Sequence, residues 1–438
     1  MAKRLSTADP GFAAEFRRFL GEKREAAPDV DAAVSVIVAD VRSRGDAALI
    51  EFSRKFDRLE LTRETLRIGA DEIAAASKAV DPEMRTALTF ARDRIKSHHA
   101  RQLPKDDQYR DDLGVELGSR WTPIDSVGLY VPGGTASYPS SVLMNAVPAK
   151  VAGVARIAMV VPTPEGRLNP LVLAAAELAG VEEIYRVGGA QAIAALAYGT
   201  ETIAPVAKIV GPGNAYVAAA KRQVFGAVGI DMVAGPSEVL IIADSDNDPE
   251  WIAADLLAQA EHDTAAQSIL MTDDAAFADR VEAAVEHQLA ALPRGETARA
   301  SWATFGAIIL LGSLDEAPPL ADRIAAEHLE IATRAPDALA ARIRHAGAIF
   351  LGHCTPEVIG DYVAGSNHVL PTARSARFSS GLGVLDYMKR TSMLRLTPQS
   401  FAALAPHAMR LAEAEGLGGH RRSVEIRLAP DASSRKST

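Results

Sequence analysis

Gln259 and His262 stand three residues apart in P-E-W-I-A-A-D-L-L-A-Q-A-E-H-D, at the end of a stretch that reads as a helix. Side chains at that spacing share a helical face. An amide oxygen and an imidazole nitrogen therefore project together. Just upstream, G-I-D-M-V-A-G-P-S-E-V-L-I-I-A-D reads as a tight polar loop ending in Ser237 and Glu238, then a buried strand from Val239 to Ala243. The helix end supplies half of a metal or substrate site, and other parts of the chain must supply the rest.

The chain has ten histidines, and three more of them have informative neighbours. His328 lies in A-E-H-L-E-I-A-T, where a helical pattern gives way to a strand. Glu327 is adjacent to it, so the two side chains serve one site only at an irregular junction. His368 lies in the polar loop G-D-Y-V-A-G-S-N-H-V-L-P-T, seven residues after Asp361. His420 follows E-G-L-G-G, past the last helical pattern. A single histidine is more often structural than a ligand, but four in polar settings with carboxylates nearby point to chemistry. Nitrogen and oxygen donors without thiolate suit zinc, manganese or cobalt. There is no H-E-x-x-H, which argues against a zinc peptidase. The single cysteine, Cys354, is expected to be a buried or half-exposed thiol.

Three glycine-bearing loops follow strand-like runs: Tyr130-Val131-Pro132-Gly133-Gly134, Gly188-Gly189-Ala190-Gln191 and Gly211-Pro212-Gly213-Asn214. Loops at strand C-termini are where α/β proteins bind ligands, and a following helix N-terminus favours anions. None is G-x-G-x-x-G, so the dinucleotide fingerprint is absent and ordinary turns remain an alternative.

These groups need a scaffold. The 438 residues, 48% hydrophobic and 24% charged, suffice for about three domains at roughly 150 residues each. Net charge is 47 − 56 = −9, which argues against nucleic acid or an anionic membrane as a standing partner. One cysteine excludes a disulfide framework. No apolar run reaches the roughly 18 residues of a membrane span, and no signal peptide is visible, so a cytoplasmic protein is expected. The first hundred residues read as helical, with Val34, Val38 and Val41 on one face and Gly45 as the stop. A second helix runs from Asp46 to about Phe56. From about 120, short β-rich runs alternate with helices: 156–161, 183–187, 208–210, 239–243, 268–272, 307–311 and 348–351. One helix is punctuated by Asn169, Pro170 and Gly180 as N-cap, first turn and stop. Such alternation implies parallel sheets with right-handed crossovers, as two sheets or one large sheet with an insertion. After Ser392 the pattern is helical through about Glu415, and S-S-R-K-S-T at the end is expected to be disordered.

Taken together, these segments resemble the histidinol dehydrogenase family from about residue 25 to 428. The resemblance is carried by W-T-P-I-D-S-V-G-L-Y-V-P-G-G-T-A-S-Y-P-S-S-V-L-M-N, V-G-G-A-Q-A-I-A-A-L-A-Y-G-T, K-I-V-G-P-G-N-A-Y-V, G-I-D-M-V-A-G-P-S-E-V-L, Q-A-E-H-D, E-H-L-E-I and G-S-N-H-V-L-P-T, in that order. It implies NAD-dependent oxidation of L-histidinol to L-histidine through L-histidinaldehyde, the last step of histidine biosynthesis. It also implies one zinc ion per subunit, bound by Gln259, His262, Asp361 and His420. By the same likeness His328 is the general base and Glu327 activates water. Ser237, His368 and Glu415 join the metal ligands and His328 in contacting the substrate, and Tyr130, Gln191 and Asn214 contact the cofactor.

The implied architecture is α/β, with two Rossmann-like parallel-sheet domains, one of them discontinuous. The expected parts are an arm over 1–25, a domain from 26–129 plus 238–382 carrying the metal and catalytic residues, an inserted cofactor domain over 130–237, and a helical segment over 383–438. In a homodimer that last segment crosses to the neighbour and brings Glu415 and His420 to its site. A related zinc and NAD dehydrogenase of another small alcohol is the alternative. The carboxylate of Glu415 together with His368 favours a substrate bearing an imidazole.

Overall fold

A computed structural model of the chain describes residues 2–21, 29–133 and 138–428. Strands occur in chain order as β1 (Lys3–Ser6), β2 (Asp107–Arg110), β3 (Glu116–Pro123), β4 (Ser126–Tyr130), β5 (Arg156–Val160), β6 (Glu183–Tyr185), β7 (Lys208–Val210), β8 (Gly229–Ile230), β9 (Glu238–Ala243), β10 (Gln267–Thr272), β11 (Ala307–Leu310), β12 (His328–Ala332), β13 (Ala348–Leu351) and β14 (Met388–Arg395). They form three sheets, in the orders β1-β11-β10-β9-β12-β13, β6-β5-β4-β7-β8 and β14-β3-β2. The first two sheets are parallel throughout and the third is antiparallel. The protein is thus a mixed α/β fold with two parallel sheets, as the strand–helix alternation predicts.

β9 and β10 are buried at every position. Burial at every position marks strands covered by helices on both faces. On one face Ile252, Leu256 and Leu257 of the helix Pro249–Ala260 join Phe277, Val281 and Trp302 in a core. On the other, Phe16, Phe19, Leu320 and Ile324 close the sheet. The five-stranded sheet has its own core, where Val34, Val38 and Val41 pack with Ile193, Leu196 and Val217. Asn169 caps its helix by accepting the Leu171 amide at 2.8 Å, with Pro170 in the first turn.

Two compact units are present. One comprises Met1–Leu103 with Ile124–Tyr387 and holds both parallel sheets. The other comprises Pro104–Pro123 with Met388–Thr438 and holds the antiparallel sheet, then the helices Pro398–Ala414 and Gly418–Leu428.

The sequence reading needs correcting at several points. Two strands occupy stretches read as helical or as an arm: β1 adds to the edge of the six-stranded sheet, and β14 pairs with β3. The helix from Asp46 ends at Phe52 and continues as a wider turn over Ser53–Asp57. Cys354 is exposed, not buried or half-exposed. The expected disorder of the last six residues, Gly134, and the T-A-S that follows it lie outside the described residues.

Candidate active site

Glu327 and His328 mark the start of β12. The helix Ala317–Ile324 ends there on Ala325, which takes a left-handed conformation (φ 49°), so the chain changes direction just before the pair. β12 lies between β9 and β13, with His328 in register with Val239. Both side chains are buried, and Oε2 of Glu327 stands 3.8 Å from Nδ1 of His328. The Glu327 carboxylate accepts the Glu238 amide at 3.0 Å and a hydrogen bond from the Ser237 side chain. Ser237, Glu327 and His328 therefore meet at the amino edge of the six-stranded sheet.

The same edge gathers the other candidates. The helix Pro249–Ala260 follows β9 and returns to this edge. Asp248 caps its start, accepting the Glu250 amide at 2.9 Å. Gln259 is in its last turn, while His262 falls just beyond the helix end, not within it as the sequence suggests. Nδ1 of His262 donates to the Ala258 carbonyl at 2.9 Å. That hydrogen bond fixes the tautomer and leaves Nε2 as a free donor of electrons, the usual arrangement of a metal-binding histidine. Asp361, on the helix Glu357–Tyr362 after β13, places Oδ1 3.3 Å from Nε2 of His328. His368 donates from Nδ1 to the Asp361 carbonyl at 3.0 Å, and its Nε2 meets the Ser141 hydroxyl at 3.3 Å.

Charge is concentrated here. Burial opposes protonation of His328, but Glu357, Glu327 and Asp361 outweigh it and raise the imidazole to about 10. Burial pushes Glu327 up to about 7, against the pull of His328. Burial likewise raises Glu357 to about 8; its Oε2 lies 3.7 Å from Nδ1 of His328. Asp361 is held below its ordinary value: burial works against this, and His328, His368 and His262 prevail. Burial lowers His368.

Gln259 is the clearest test of whether a metal fits. It is 1% exposed, and neither Oε1 nor Nε2 has a hydrogen-bond partner. A buried amide in that state costs on the order of 1–3 kcal/mol unless something binds it. An amide oxygen, the outward nitrogen of His262 and the carboxylate of Asp361 form a hard, thiolate-free donor set, which suits a divalent cation. Among the described residues, no group of three or more His, Cys, Asp or Glu side chains is placed to hold a metal ion. His420 and Glu415 lie in the second compact unit, both exposed, on the helix Gly418–Leu428 and at the end of Pro398–Ala414.

The proposed cofactor residues sit at the carboxyl edge of the five-stranded sheet. Tyr130 ends β4 and its hydroxyl accepts the Gly189 amide at 3.1 Å; burial raises it to about 12. Gln191 is buried in the first turn of the helix Gly189–Tyr198. The Asn214 side chain caps the helix Ala215–Val224, accepting from Tyr216 and Val217. His368 and Ser141 connect this side to the acid–histidine pair, because Ser141 lies on the helix Pro139–Ala152 that follows β4.

Sequence reasoning missed Asp255, Glu330, Glu357 and Ser141. Glu357 precedes Asp361 by four on one helix, Asp255 precedes Gln259 by four, and Glu330 follows His328 by two on a strand. Each spacing puts the missed residue on the same face as a recognised one. Applied outward from the candidates, that rule finds three of the four.

Two parallel sheets, with an acid–histidine pair on one edge of the first and glycine-bearing loops on the carboxyl edge of the second, define an α/β enzyme. The family model described as Histidinol dehydrogenase matches residues 21–428. A histidinol dehydrogenase of Rhizobium meliloti (strain 1021) is 69% identical over 428 residues, 98% of this chain and 99% of that one. One from Agrobacterium fabrum (strain C58 / ATCC 33970) is 69% identical over 431 residues, 98% and 100% of the two chains. The crystal structure of histidinol dehydrogenase from Elizabethkingia anophelis superposes with a TM-score of 0.93 at 37% identity, covering 98% of each chain. The chain belongs to the histidinol dehydrogenase family. No described helix is long and apolar enough to cross a membrane.

Proposed function

We propose that this protein oxidises L-histidinol to L-histidine through L-histidinaldehyde, with two NAD⁺ reduced per substrate. The observation that carries the reading is the buried Glu327–His328 pair beside the unpartnered amide of Gln259. The family likeness supplies the substrate.

Gln259, His262 and Asp361 would hold a zinc ion, with His420 as the fourth ligand. When bound, the zinc would help orient the substrate, and NAD⁺ would accept hydride. The chain's own groups do the proton work. Were Asp361 engaged as a ligand, the Nε2 side of His328 would lose the carboxylate that faces it. Nε2 then takes the substrate's hydroxyl proton as charge develops on oxygen. Nδ1 keeps its proton and donates it to the Glu238 carbonyl at 3.3 Å, which keeps the ring aimed. General-base help of this kind contributes typically 10²–10⁴-fold. In the second half, Glu327 removes a proton from the water that adds to the aldehyde. Burial holds this carboxyl near 7, so it can take that proton and release it again around neutral pH. Ser237 and the Glu238 amide hold the carboxylate in place. His368 and Glu415 are proposed contacts for the substrate, and Tyr130, Gln191 and Asn214 for NAD.

We place the cofactor on an inserted domain over 130–237. Gln259, His262, Asp361 and the Glu327–His328 pair then fall within 238–382, ahead of a C-terminal segment over 383–438. We also propose a homodimer in which Glu415 and His420 complete the neighbour's site. Formation of reduced nicotinamide from NAD⁺ and L-histidinol tests the reading. Two equivalents per histidinol, with histidine as product, support it. One equivalent, or reduction only with other alcohols, points to a related alcohol dehydrogenase instead.

A further inference from the structure

One buried charge pair outside the proposed chemistry needs a reason to exist. Lys221, on the helix Ala215–Val224, is paired with Asp231, which follows β8 directly. Their side chains are 2% and 1% exposed. Removing two charges from water costs more than their attraction reliably returns, and an apolar pair of similar volume often does as well for stability. The pair is therefore poorly explained as a prop for the fold.

Its hydrogen bonds converge on one residue. Lys221 Nζ donates to the Gly211 carbonyl at 3.1 Å, and Asp231 Oδ2 accepts the Gly211 amide at 2.8 Å. Both polar atoms of the Gly211 backbone are thus held by opposite charges. Gly211 takes φ 112°, and a β-carbon there would overlap the Tyr130 carbonyl. It is the first residue of the loop that ends in the Asn214 cap. Asp231 also accepts the Met232 amide at 2.6 Å through Oδ1, and its own amide donates to the Ile209 carbonyl at 3.2 Å. From Asp231 the chain runs on to Ser237, which hydrogen-bonds Glu327.

We propose that Lys221 and Asp231 are positioning residues for the cofactor. The pair locks the loop from Gly211 to Asn214 into the shape that receives NAD, and fixes it to the root of the loop carrying Ser237. The proposal rests on the assignment of NAD to these loops. Neither residue touches substrate or cofactor; both act through the Gly211 backbone.

The double variant Lys221→Met/Asp231→Leu, made in the full chain with metal bound, tests it. It removes both charges together, so neither is left buried and alone. The expected result is a KM for NAD⁺ raised by roughly tenfold or more, the scale of a small misplacement of a bound reactant. Metal content and KM for L-histidinol stay at the wild-type values. An unchanged KM for NAD⁺ in the variant, with the wild type saturating normally, overturns the clamp alone. A wild type indifferent to NAD⁺ overturns the cofactor assignment and the clamp with it. Amide exchange of the wild-type protein gives a reading that needs no variant. Gly211 is expected to be protected before cofactor binds, and exchange as fast as in an unstructured loop overturns the proposal.

Discussion

Glu327 and His328 are neighbours in the chain, and their side chains also meet, with Glu327 Oε2 3.8 Å from His328 Nδ1. Adjacent residues on a regular strand point to opposite faces. The left-handed turn at Ala325 and the start of β12 at His328 make the meeting possible. The pair therefore depends on an irregular junction, and it puts two groups with different proton affinities at one point. Glu357 joins them from the inner side, 3.7 Å from the same nitrogen.

The unpartnered amide of Gln259 gives a prediction of opposite signs. Gln259→Leu keeps the volume and removes the buried polar atoms. Without metal, the variant should be more stable than the wild type by on the order of 1–3 kcal/mol. With metal the order should reverse, because a ligand at 100 times its Kd stabilises by about 2.7 kcal/mol and the variant loses that gain. Chemical unfolding with and without a chelator reads both. A variant equally destabilised in both conditions would show that the amide is only a packing group.

Asp255 and Glu330 predict a pH dependence of stability. Their side chains hydrogen-bond each other, so the pair shares a proton. Burial raises Asp255 from 3.8 to about 6. Burial, then Asp255 and Glu357, raises Glu330 well above its ordinary value. In the unfolded chain both carboxyls ionise at their ordinary values. Between 3.8 and about 6 the unfolded state therefore binds fewer protons than the folded one, and stability falls as pH rises through that window. Glu330 continues the trend at higher pH. Asp255→Asn should flatten the slope and raise stability near pH 8 by roughly 1–2 kcal/mol, after allowing for solvent screening. Urea midpoints measured across that range decide it, and a slope unchanged by the substitution would contradict the shared-proton pair.

Much of the site is legible in the sequence because its residues fall in ordered, polar breaks of a strongly apolar pattern. Gln259 and His262 stand out at a helix end, and Glu327 and His328 at a helix–strand junction. Other features leave no such signal. β2 is exposed at all four positions and β14 at seven of eight, so neither shows the apolar alternation that marks a half-buried strand. Both pair with β3, which follows β2 directly in the chain but is far from β14 in sequence. The exposure of Cys354 leaves no signal either, because its neighbours say nothing about which way a loop turns. The glycine-bearing loops after β4, β6 and β7 lie at strand C-termini, where a general rule looks for ligands. The acid–histidine pair lies instead at the amino edge of the other sheet, where no general rule would place it.

The C-terminal segment yields a prediction about assembly. Truncation before residue 410 removes both Glu415 and His420. If these complete a neighbour's site, the shortened protein should lose bound metal and turnover together. Mixing it with a His262→Asn full-length variant should then restore some activity in hybrid dimers, since each supplies what the other lacks. Metal analysis and turnover of the separate and mixed proteins measure this. Full activity of the truncated protein alone would refute the shared site.

The division of labour between Glu327 and His328 is the central claim, and separate assay of the two half-reactions tests it most directly. For Glu327→Gln, the rate with L-histidinaldehyde supplied should fall by about 10²-fold or more, the typical scale of a lost general base. Oxidation of L-histidinol to the aldehyde should be impaired far less, because His328 keeps its Nδ1 hydrogen bond to the Glu238 carbonyl. An equal loss in both halves would contradict water activation by Glu327 and leave the pair with a single shared role.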